Sequence, residues 1–118
     1  MDKSDLEKRT KAFALRIINY VASLPKNKAT DVIGYQLLKS GTSIGANYRE
    51  ANRAESRSDF KHKVGIVEKE ASECQYWLEI CHESDFGNTD EQTSLLKEAA
   101  ELLAIFTAMG RTTKSRGC

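Results

Sequence analysis

Two rows of mostly polar side chains recur at helical spacing in the middle of the chain. The first row steps by four and three residues, and its members are Gln36, Ser40, Ser43, Asn47 and Glu50. The second row takes the same steps, and its members are Asp59, Lys63, Ile66, Glu70, Glu73 and Trp77. Residues at these steps share one face of a helix. The spacing therefore predicts two polar ladders, whose hydroxyl, amide and carboxyl groups could bind water, one another or a cation.

Three interpretations of the ladders are open at this point. They can be solvated surface, because charged rows usually face water. They can form a buried or half-buried hydrogen-bond network that fixes helix register or subunit contacts, since amides and hydroxyls satisfy one another when desolvated. We favour this second interpretation. The third is a metal or catalytic site built from Glu50, Glu70 and Glu73.

A metal site in a helical bundle needs more than carboxylates. Such sites usually add histidines in Glu-x-x-His motifs, and we expect neither His62 nor His82 to complete one. The chain also lacks a phosphate-binding glycine loop and a Cys-x-x-Cys motif. We therefore expect no catalytic residue, metal, cofactor or small-molecule substrate.

Basic residues gather around the predicted turn between the second and third helices. They are Arg49, Arg53, Arg57, Lys61 and Lys63. A cluster of this kind can contact nucleic-acid phosphates. The alternative is an ordinary solvated corner in which neighbouring acidic residues neutralise the charge. No zinc finger, helix-turn-helix or aromatic RNA platform accompanies the cluster, so we expect no base-specific recognition.

The near-neutral net charge of +1 hides an uneven distribution. Residues 1–63 contain 13 Lys and Arg against 7 Asp and Glu, whereas residues 64–118 contain 5 against 10. Such an asymmetry favours either a nucleic-acid-binding face or head-to-tail attraction between subunits.

Four segments must position these groups, and each carries apolar residues three and four positions apart. They cover residues 4–24, 30–53, 56–83 and 89–109. The third segment has the most regular seam, formed by Phe60, Val64, Val67, Ala71, Cys74, Leu78 and Cys81. Short connections between long helices make neighbours antiparallel. The fold class predicted is all-α, an antiparallel up-down-up-down four-helix bundle.

Capping residues set the predicted starts of the helices, and glycines raise the question of whether the second helix is continuous. The expected N-terminal caps are Ser4, Thr30 or Asp31, Ser56, and Thr89 paired with Gln92. Gly34, Gly41 and Gly45 lie inside the second segment. A break near Gly41 is the alternative, but we favour a continuous helix because the apolar pattern keeps its phase across the glycines.

Residues 1–110 are predicted to form the bundle, with residues 111–118 as a flexible C-terminal tail carrying Cys118. Cys74 and Cys81 are expected to be core thiols, too far apart along one helix to pair with each other. No apolar run reaches the roughly 18 to 20 residues of a membrane helix. No signal peptide is apparent, so we expect a cytoplasmic protein.

Several runs of residues together carry a family resemblance. The longest spans residues 36–51 and has the spacing Gln-Leu-x-x-Ser-x-x-Ser-x-x-x-Asn-x-x-Glu. Shorter ones cover residues 13–18, 24–25, 59–60, 69–73 and 77–78. Over about residues 5–108 the chain resembles the four-helix bundle family of 23S rRNA intervening-sequence proteins, sometimes labelled ribosomal protein S23. It also resembles the accessory variability determinant proteins of diversity-generating retroelements, which share that fold.

The resemblance implies a homopentamer with a nucleic-acid or ribonucleoprotein role and no known catalysis. The family's signature positions correspond here to Gln36, Ser40, Ser43, Asn47, Glu50, Phe60, Glu70, Glu73 and Trp77. The expected function is a non-catalytic oligomeric bundle that binds RNA or DNA. The alternative is a protein–protein assembly module or accessory subunit without direct nucleic-acid contact.

Overall fold

Four α-helices account for almost the whole chain. The computed structural model describes residues 1–117, with side chains for residues 1–112. The helices are α1 (Lys3–Ala22), α2 (Lys28–Ala51), α3 (Arg57–Glu83) and α4 (Thr89–Gly117). Each packs against its neighbours in chain order, and α4 returns to α1. The predicted all-α four-helix bundle is confirmed.

The core is made of the apolar stripes that the helical spacing predicted. On α3, Val64, Val67, Ala71, Cys74, Leu78 and Cys81 are all fully buried. Phe60, the first residue of the predicted seam, is only half-buried because it lies in the first turn of α3, at one end of the bundle. Cys74 and Cys81 are both free and buried, as expected.

Two helices begin earlier than predicted because an Asx residue upstream supplies the cap. Asp2, not Ser4, caps α1, and its carboxylate accepts a hydrogen bond from the Asp5 amide at 2.8 Å. Asn27 caps α2, and Thr30 serves as its capping-box partner rather than as the cap. Both caps have extended backbone, which lets the side-chain oxygen reach the first turn.

The caps of the other two helices agree in part with the prediction. Ser56 caps α3, accepting from the Asp59 amide at 3.0 Å, as expected. At α4 the cap is Asn88 instead of Thr89, since the side-chain oxygen Oδ1 of Asn88 accepts a hydrogen bond from the Glu91 amide at 2.9 Å. Gln92 is buried, and its amide donates to the Tyr20 hydroxyl at 3.0 Å.

Helix α2 is continuous across its glycines, as predicted. Gly41 faces α1, where an added Cβ would lie 2.9 Å from Ile17 Cγ1 and 3.2 Å from Ile17 Cβ. Gly34 and Gly45 similarly approach α1 residues Val21 and Thr10. The glycines therefore let the two helix backbones come close together.

Helix α4 extends beyond its predicted end near Met109. Gly110 lies within the helix, where an added Cβ would be 3.6 Å from Glu68 Oε1 and 3.9 Å from Val64 Cγ1. Helix α4 thus still lies against α3 at this glycine. The predicted flexibility of residues 111–118 stays a prediction, and Cys118 lies outside the described residues.

Charged side chains tie α4 to α1. Arg9 donates two hydrogen bonds to Glu98, both at 2.7 Å, and a third to Glu101 at 2.9 Å. Arg16 donates to Ser94 at 2.7 Å and lies 3.4 Å from Glu91. Some of the attraction between the basic and acidic halves therefore acts within one chain. Among the described residues, no helix is long and apolar enough to cross a membrane.

Candidate nucleic-acid interface

The five predicted basic residues come together at one end of the bundle. Arg49 lies in the last turn of α2, Arg53 follows in the loop, and Arg57, Lys61 and Lys63 lie in the first two turns of α3. We call this set the basic corner. The loop over residues 52–56 is short enough to keep the two helix ends adjacent.

Two charges of the basic corner are only loosely neutralised. Arg49 Nε lies 3.8 Å from Glu7, and Lys63 Nζ lies 3.8 Å from Asp59. Exposed ion pairs of this kind hold a side chain weakly. Arg53 and Lys61 are exposed, and neither forms an ion pair with any side chain in residues 1–112. The corner can therefore present positive charge to a partner.

An apolar cavity of about 530 Å³ lies at the same end of the bundle. Its lining residues come from all four helices and the adjoining caps: Met1, Asp2, Lys3, Leu6, Tyr48, Asn52, Phe60, Ile105 and Met109. Tyr48 is buried, and its ring meets Phe106 edge to face with centroids 5.2 Å apart. Burial raises the pKa of the Tyr48 hydroxyl, so it stays protonated.

The side chain of Asn52 lines this cavity and shares a hydrogen bond with the Tyr48 hydroxyl. Its Nδ2 donates to Glu7 Oε2 at 2.8 Å. Because a carboxylate only accepts hydrogen bonds, this contact fixes the amide orientation and turns Oδ1 away from Glu7. That oxygen is buried and has no hydrogen-bond partner. Tyr48 could have been found from its spacing with Ile44 and Ala51, but no sequence signal marks Asn52.

The polar ladder of α2 is largely half-buried and bonds mainly to its own helix. Ser40 is buried, whereas Gln36, Ser43 and Asn47 are half-buried and Glu50 is exposed. The Ser40 hydroxyl donates to the Gln36 carbonyl at 3.0 Å, and Asn47 Nδ2 donates to the Ser43 carbonyl at 2.9 Å. Local bonds of this type satisfy the polar groups within α2, and the Ser40 hydroxyl also contacts the Cys74 thiol of α3. A role in subunit contacts stays a prediction.

The ladder of α3 contains a poorly satisfied carboxylate. Glu70, Glu73 and Trp77 are half-buried. Glu70 Oε2 is buried without a hydrogen-bond partner. Burial raises the pKa of Glu70, the charge of Glu73 raises it further, and Lys69 and Lys39 oppose the shift. Burial also raises the pKa of the Cys74 thiol to about 12, against a hydrogen bond with Ser40.

The carboxylates do not form a metal site. Within the described residues, no group of three or more His, Cys, Asp and Glu side chains is placed to share a metal ion. The expectation that neither histidine completes a Glu-x-x-His motif was wrong, because Glu79 precedes His82 by three residues. Both are exposed, and His82 Nδ1 lies 3.1 Å from Gln92 Oε1.

Comparison with known proteins places the chain in a family. The family model described as 23S rRNA-intervening sequence protein matches residues 2–108. The chain belongs to this family. A crystal structure from Bacteroides thetaiotaomicron, of a protein with unknown function from the S23 ribosomal protein family, is 34% identical. The match covers 94% of this chain and 99% of that one, with a TM-score of 0.85. No curated protein matches the chain.

Membership of the intervening-sequence protein family confirms the resemblance carried by the residue 36–51 run. The four-helix fold of this chain also agrees with that family, since the S23-family structure has the same fold over nearly its whole length. The relation to the accessory variability determinant proteins stays a prediction.

Proposed function

We propose that this chain is a non-catalytic nucleic-acid-binding protein that contacts RNA or DNA through the basic corner. The observation that carries the proposal is the clustering of Arg49, Arg53, Arg57, Lys61 and Lys63 at one end of the bundle, with Arg53 and Lys61 exposed. The family description, which concerns sequences inserted in 23S rRNA, supports a nucleic-acid partner.

Binding by such a corner depends on salt, because each phosphate contact releases counterions. The logarithm of the binding constant falls by about 0.9 per contact for duplex DNA, and by about 0.7 for single strands, for each tenfold rise in salt. Lysine and arginine contacts to phosphate carry little sequence information. We therefore expect salt-sensitive binding with weak sequence preference.

The test measures binding to structured RNA and to DNA across a salt series. Lys61→Glu is expected to weaken binding and to flatten the salt dependence. Lys97→Glu is the matched control, because it makes the same charge change at an exposed site in the third turn of α4. No binding at low salt, an affinity insensitive to salt, or equal effects of the two variants would contradict the proposal.

We further propose that the chain assembles into a homo-oligomer, with a homopentamer as the expected form. Exposed apolar side chains support this part of the proposal: Leu15 is 54% exposed, Tyr35 61% and Tyr76 53%. Ring symmetry would repeat the basic corner and enlarge the positive surface. Solution mass by light scattering tests it, and a strictly monomeric protein at micromolar concentration would contradict it.

The second candidate function is a protein assembly module that does not touch nucleic acid. The same exposed tyrosines and the half-buried ladders favour it, since both could be covered by another protein chain. In that case arginines of the corner would pair across an interface. Arg53→Glu would then change the solution mass, whereas under the first proposal it would change nucleic-acid affinity and leave the mass alone.

A further inference from the structure

The exposed side of α3 carries positive charge beyond the basic corner. From the start of the helix to residue 72, its exposed residues are Arg57, Ser58, Lys61, His62, Gly65, Lys69 and Ser72. We call this set the outer face of α3. It includes three Lys and Arg residues and no carboxylate. Lys69 lies about 12 Å beyond Lys61 along the helix axis, a length that spans about three phosphates of one duplex strand.

The acidic residues in the same stretch of α3 lie at the flanks of the outer face and are half-buried. Asp59 lies 3.8 Å from Lys63. Glu68 Oε2 accepts a hydrogen bond from Thr107 of α4 at 3.0 Å, and one carboxylate oxygen of Glu70 is buried. These carboxylates therefore leave the outer face itself positively charged.

The lysines of the outer face are available to a partner. Lys61 and Lys69 are exposed, and neither forms an ion pair or a side-chain hydrogen bond within residues 1–112. Lys69 acts on the Glu70 carboxyl only through its charge. Ser58 and His62 add hydrogen-bonding groups beside Lys61. An exposed lysine binds phosphate as a flexible point charge.

A shallow depression of about 470 Å³ lies on the outer face. Its lining residues are Ser58, Lys61, His62, Gly65, Ile66 and Lys69. Glycine weakens a helix interior relative to alanine, and at Gly41 the close approach of α1 explains why glycine is present. At Gly65 an added Cβ would meet nothing within 4 Å, so no contact within the described chain requires glycine there. A partner that approaches the helix backbone closely would require it.

The composition of the outer face fits a phosphate backbone better than it fits a protein surface. Protein–protein interfaces are depleted of lysine and enriched in aromatic side chains. From residue 57 to residue 72, no exposed residue of α3 carries an apolar side chain. Contacts from lysine to phosphate position a nucleic acid without reading its sequence.

We propose that the sugar–phosphate backbone of a nucleic acid runs from the basic corner along the outer face of α3 to Lys69, and lies closest to the helix at Gly65. The proposal rests on the proposed function and deepens it, because it adds Gly65 and Lys69 to the binding surface and gives the nucleic acid a path. Lys61 and Lys69 contact phosphates, and the missing side chain at Gly65 lets the strand between them approach the helix.

The first experiment measures binding of a blunt duplex DNA to Lys69→Gln across a salt series. Loss of one phosphate contact lowers the slope of log affinity against log salt by about 0.9. The variant should bind more weakly at low salt, and between about 50 and 200 mM salt it should lose about 3.5-fold less affinity than the parent chain. Lys97→Gln is the matched control, because it removes the same charge from an exposed site on α4.

The second experiment fills the space above Gly65. Gly65→Leu places a bulky neutral side chain in the path of the strand, so the salt slope should fall by at least as much as in Lys69→Gln although every cation is kept. Its melting temperature should not fall, because the site is open and leucine favours a helix. Weaker binding by an equally stable variant separates a blocked contact from a loss of folding. Ala104→Leu is the matched control at an exposed site on α4.

Three outcomes would overturn the inference, and they are distinguishable. If Lys69→Gln and Gly65→Leu bind like their controls while Lys61→Glu binds weakly, the nucleic acid stays on the basic corner and the proposed function stands alone. No binding of the parent chain at low salt would remove the proposed function as well. A changed solution mass in Gly65→Leu with unchanged nucleic-acid affinity would show that a second copy of the chain covers the outer face.

Discussion

Glu70 is a half-buried residue of α3 whose carboxylate is incompletely hydrogen-bonded. Its carboxylate lies on the side of α3 that faces Lys39 of α2, yet Oε2 is buried without a hydrogen-bond donor. Burial and the charge of Glu73 raise its pKa above the ordinary value of 4.5. The folded state therefore holds the Glu70 proton more tightly than the unfolded state does.

This raised pKa makes the stability of the chain depend on pH. Between the unfolded and the folded pKa the folded state binds more protons, so the free energy of unfolding falls as pH rises, and the loss persists at neutral pH. Glu70→Gln removes the ionised form. We expect it to raise the melting temperature by a few degrees at pH 7. The gain should vanish below pH 4.5, where the carboxyl is protonated in both states. Thermal melting followed by circular dichroism between acid and neutral pH measures it.

The control for this prediction is Glu79→Gln, which makes the same change at an exposed site on the same helix. It should alter the melting temperature little and without the same dependence on pH. A gain for Glu70→Gln that is constant across pH, or a loss at pH 7, would mean that the buried oxygen is not penalised as its surroundings indicate.

At the level of single residues, the sequence predicted which face of its helix a side chain occupies, but it did not predict the hydrogen-bond partners. Helical spacing placed Ser40 and Asn47 correctly on the side of the core, because spacing alone fixes the face of a helix. Their hydrogen bonds run to carbonyls four residues earlier, and Ser40 also contacts the Cys74 thiol of α3. The caps Asp2 and Asn27 were missed for a similar reason, since several nearby residues are equally capable of capping.

At the level of elements, the contact of α1 with α2 depends on the absence of a side chain at Gly41. An added Cβ would meet three atoms of the fully buried Ile17 side chain, including its Cβ at 3.2 Å. Rotation about χ1 moves the γ carbons but leaves that Cβ in place. The backbones of the two helices would therefore have to separate.

Gly41→Ala is expected to destabilise the protein despite the better helix propensity of alanine. Overpacking a core costs about 1–3 kcal/mol, while replacing glycine by alanine inside a helix contributes about 1 kcal/mol. A net loss of about 1 kcal/mol should follow. Urea unfolding of the variant and the parent chain measures it.

Gly65→Ala is the matched control on α3. An added Cβ at Gly65 meets nothing within 4 Å, so only the propensity gain of up to about 1 kcal/mol remains, and stability should rise. If both variants gained stability equally, the close approach at Gly41 would not be a constraint on the fold.

The ends of the elements were harder to predict than their existence. The apolar seam of α3 fixed that helix, because a regular repeat over three heptads is hard to reconcile with a strand. The predicted end of α4 near Met109 was too early, because a glycine follows at position 110 and glycine often ends a helix. The position of Gly110 close to Glu68 and Val64 of α3 is not visible in the local sequence.

At the level of the whole molecule, part of the uneven charge distribution is used in ion pairs that hold α1 against α4, which we call the clamp. The basic first half meets the acidic second half where α1 lies against α4, through Arg9 and Arg16. The sequence showed the asymmetry but not its use, because Arg9 and Glu98 are 89 residues apart. The cavity at the basic corner was equally hidden, since its walls come from all four helices.

The clamp can be tested by exchanging its charges. Arg9→Glu alone would face both Glu98 and Glu101, so we expect a loss of about 1 kcal/mol, and Glu98→Arg alone should also destabilise by placing a second cation beside Arg9. Combined, the two substitutions recreate an opposite-charge pair and should recover most of the loss. The expected change in stability is modest because the Arg9 and Glu98 side chains keep 25% and 19% of their exposure.

Urea unfolding of the parent, both single variants and the double variant at low and high salt measures the coupling between Arg9 and Glu98, which should shrink as salt screens it. A double variant that loses the sum of the single losses would show that Arg9 and Glu98 do not stabilise the contact between α1 and α4 as a pair.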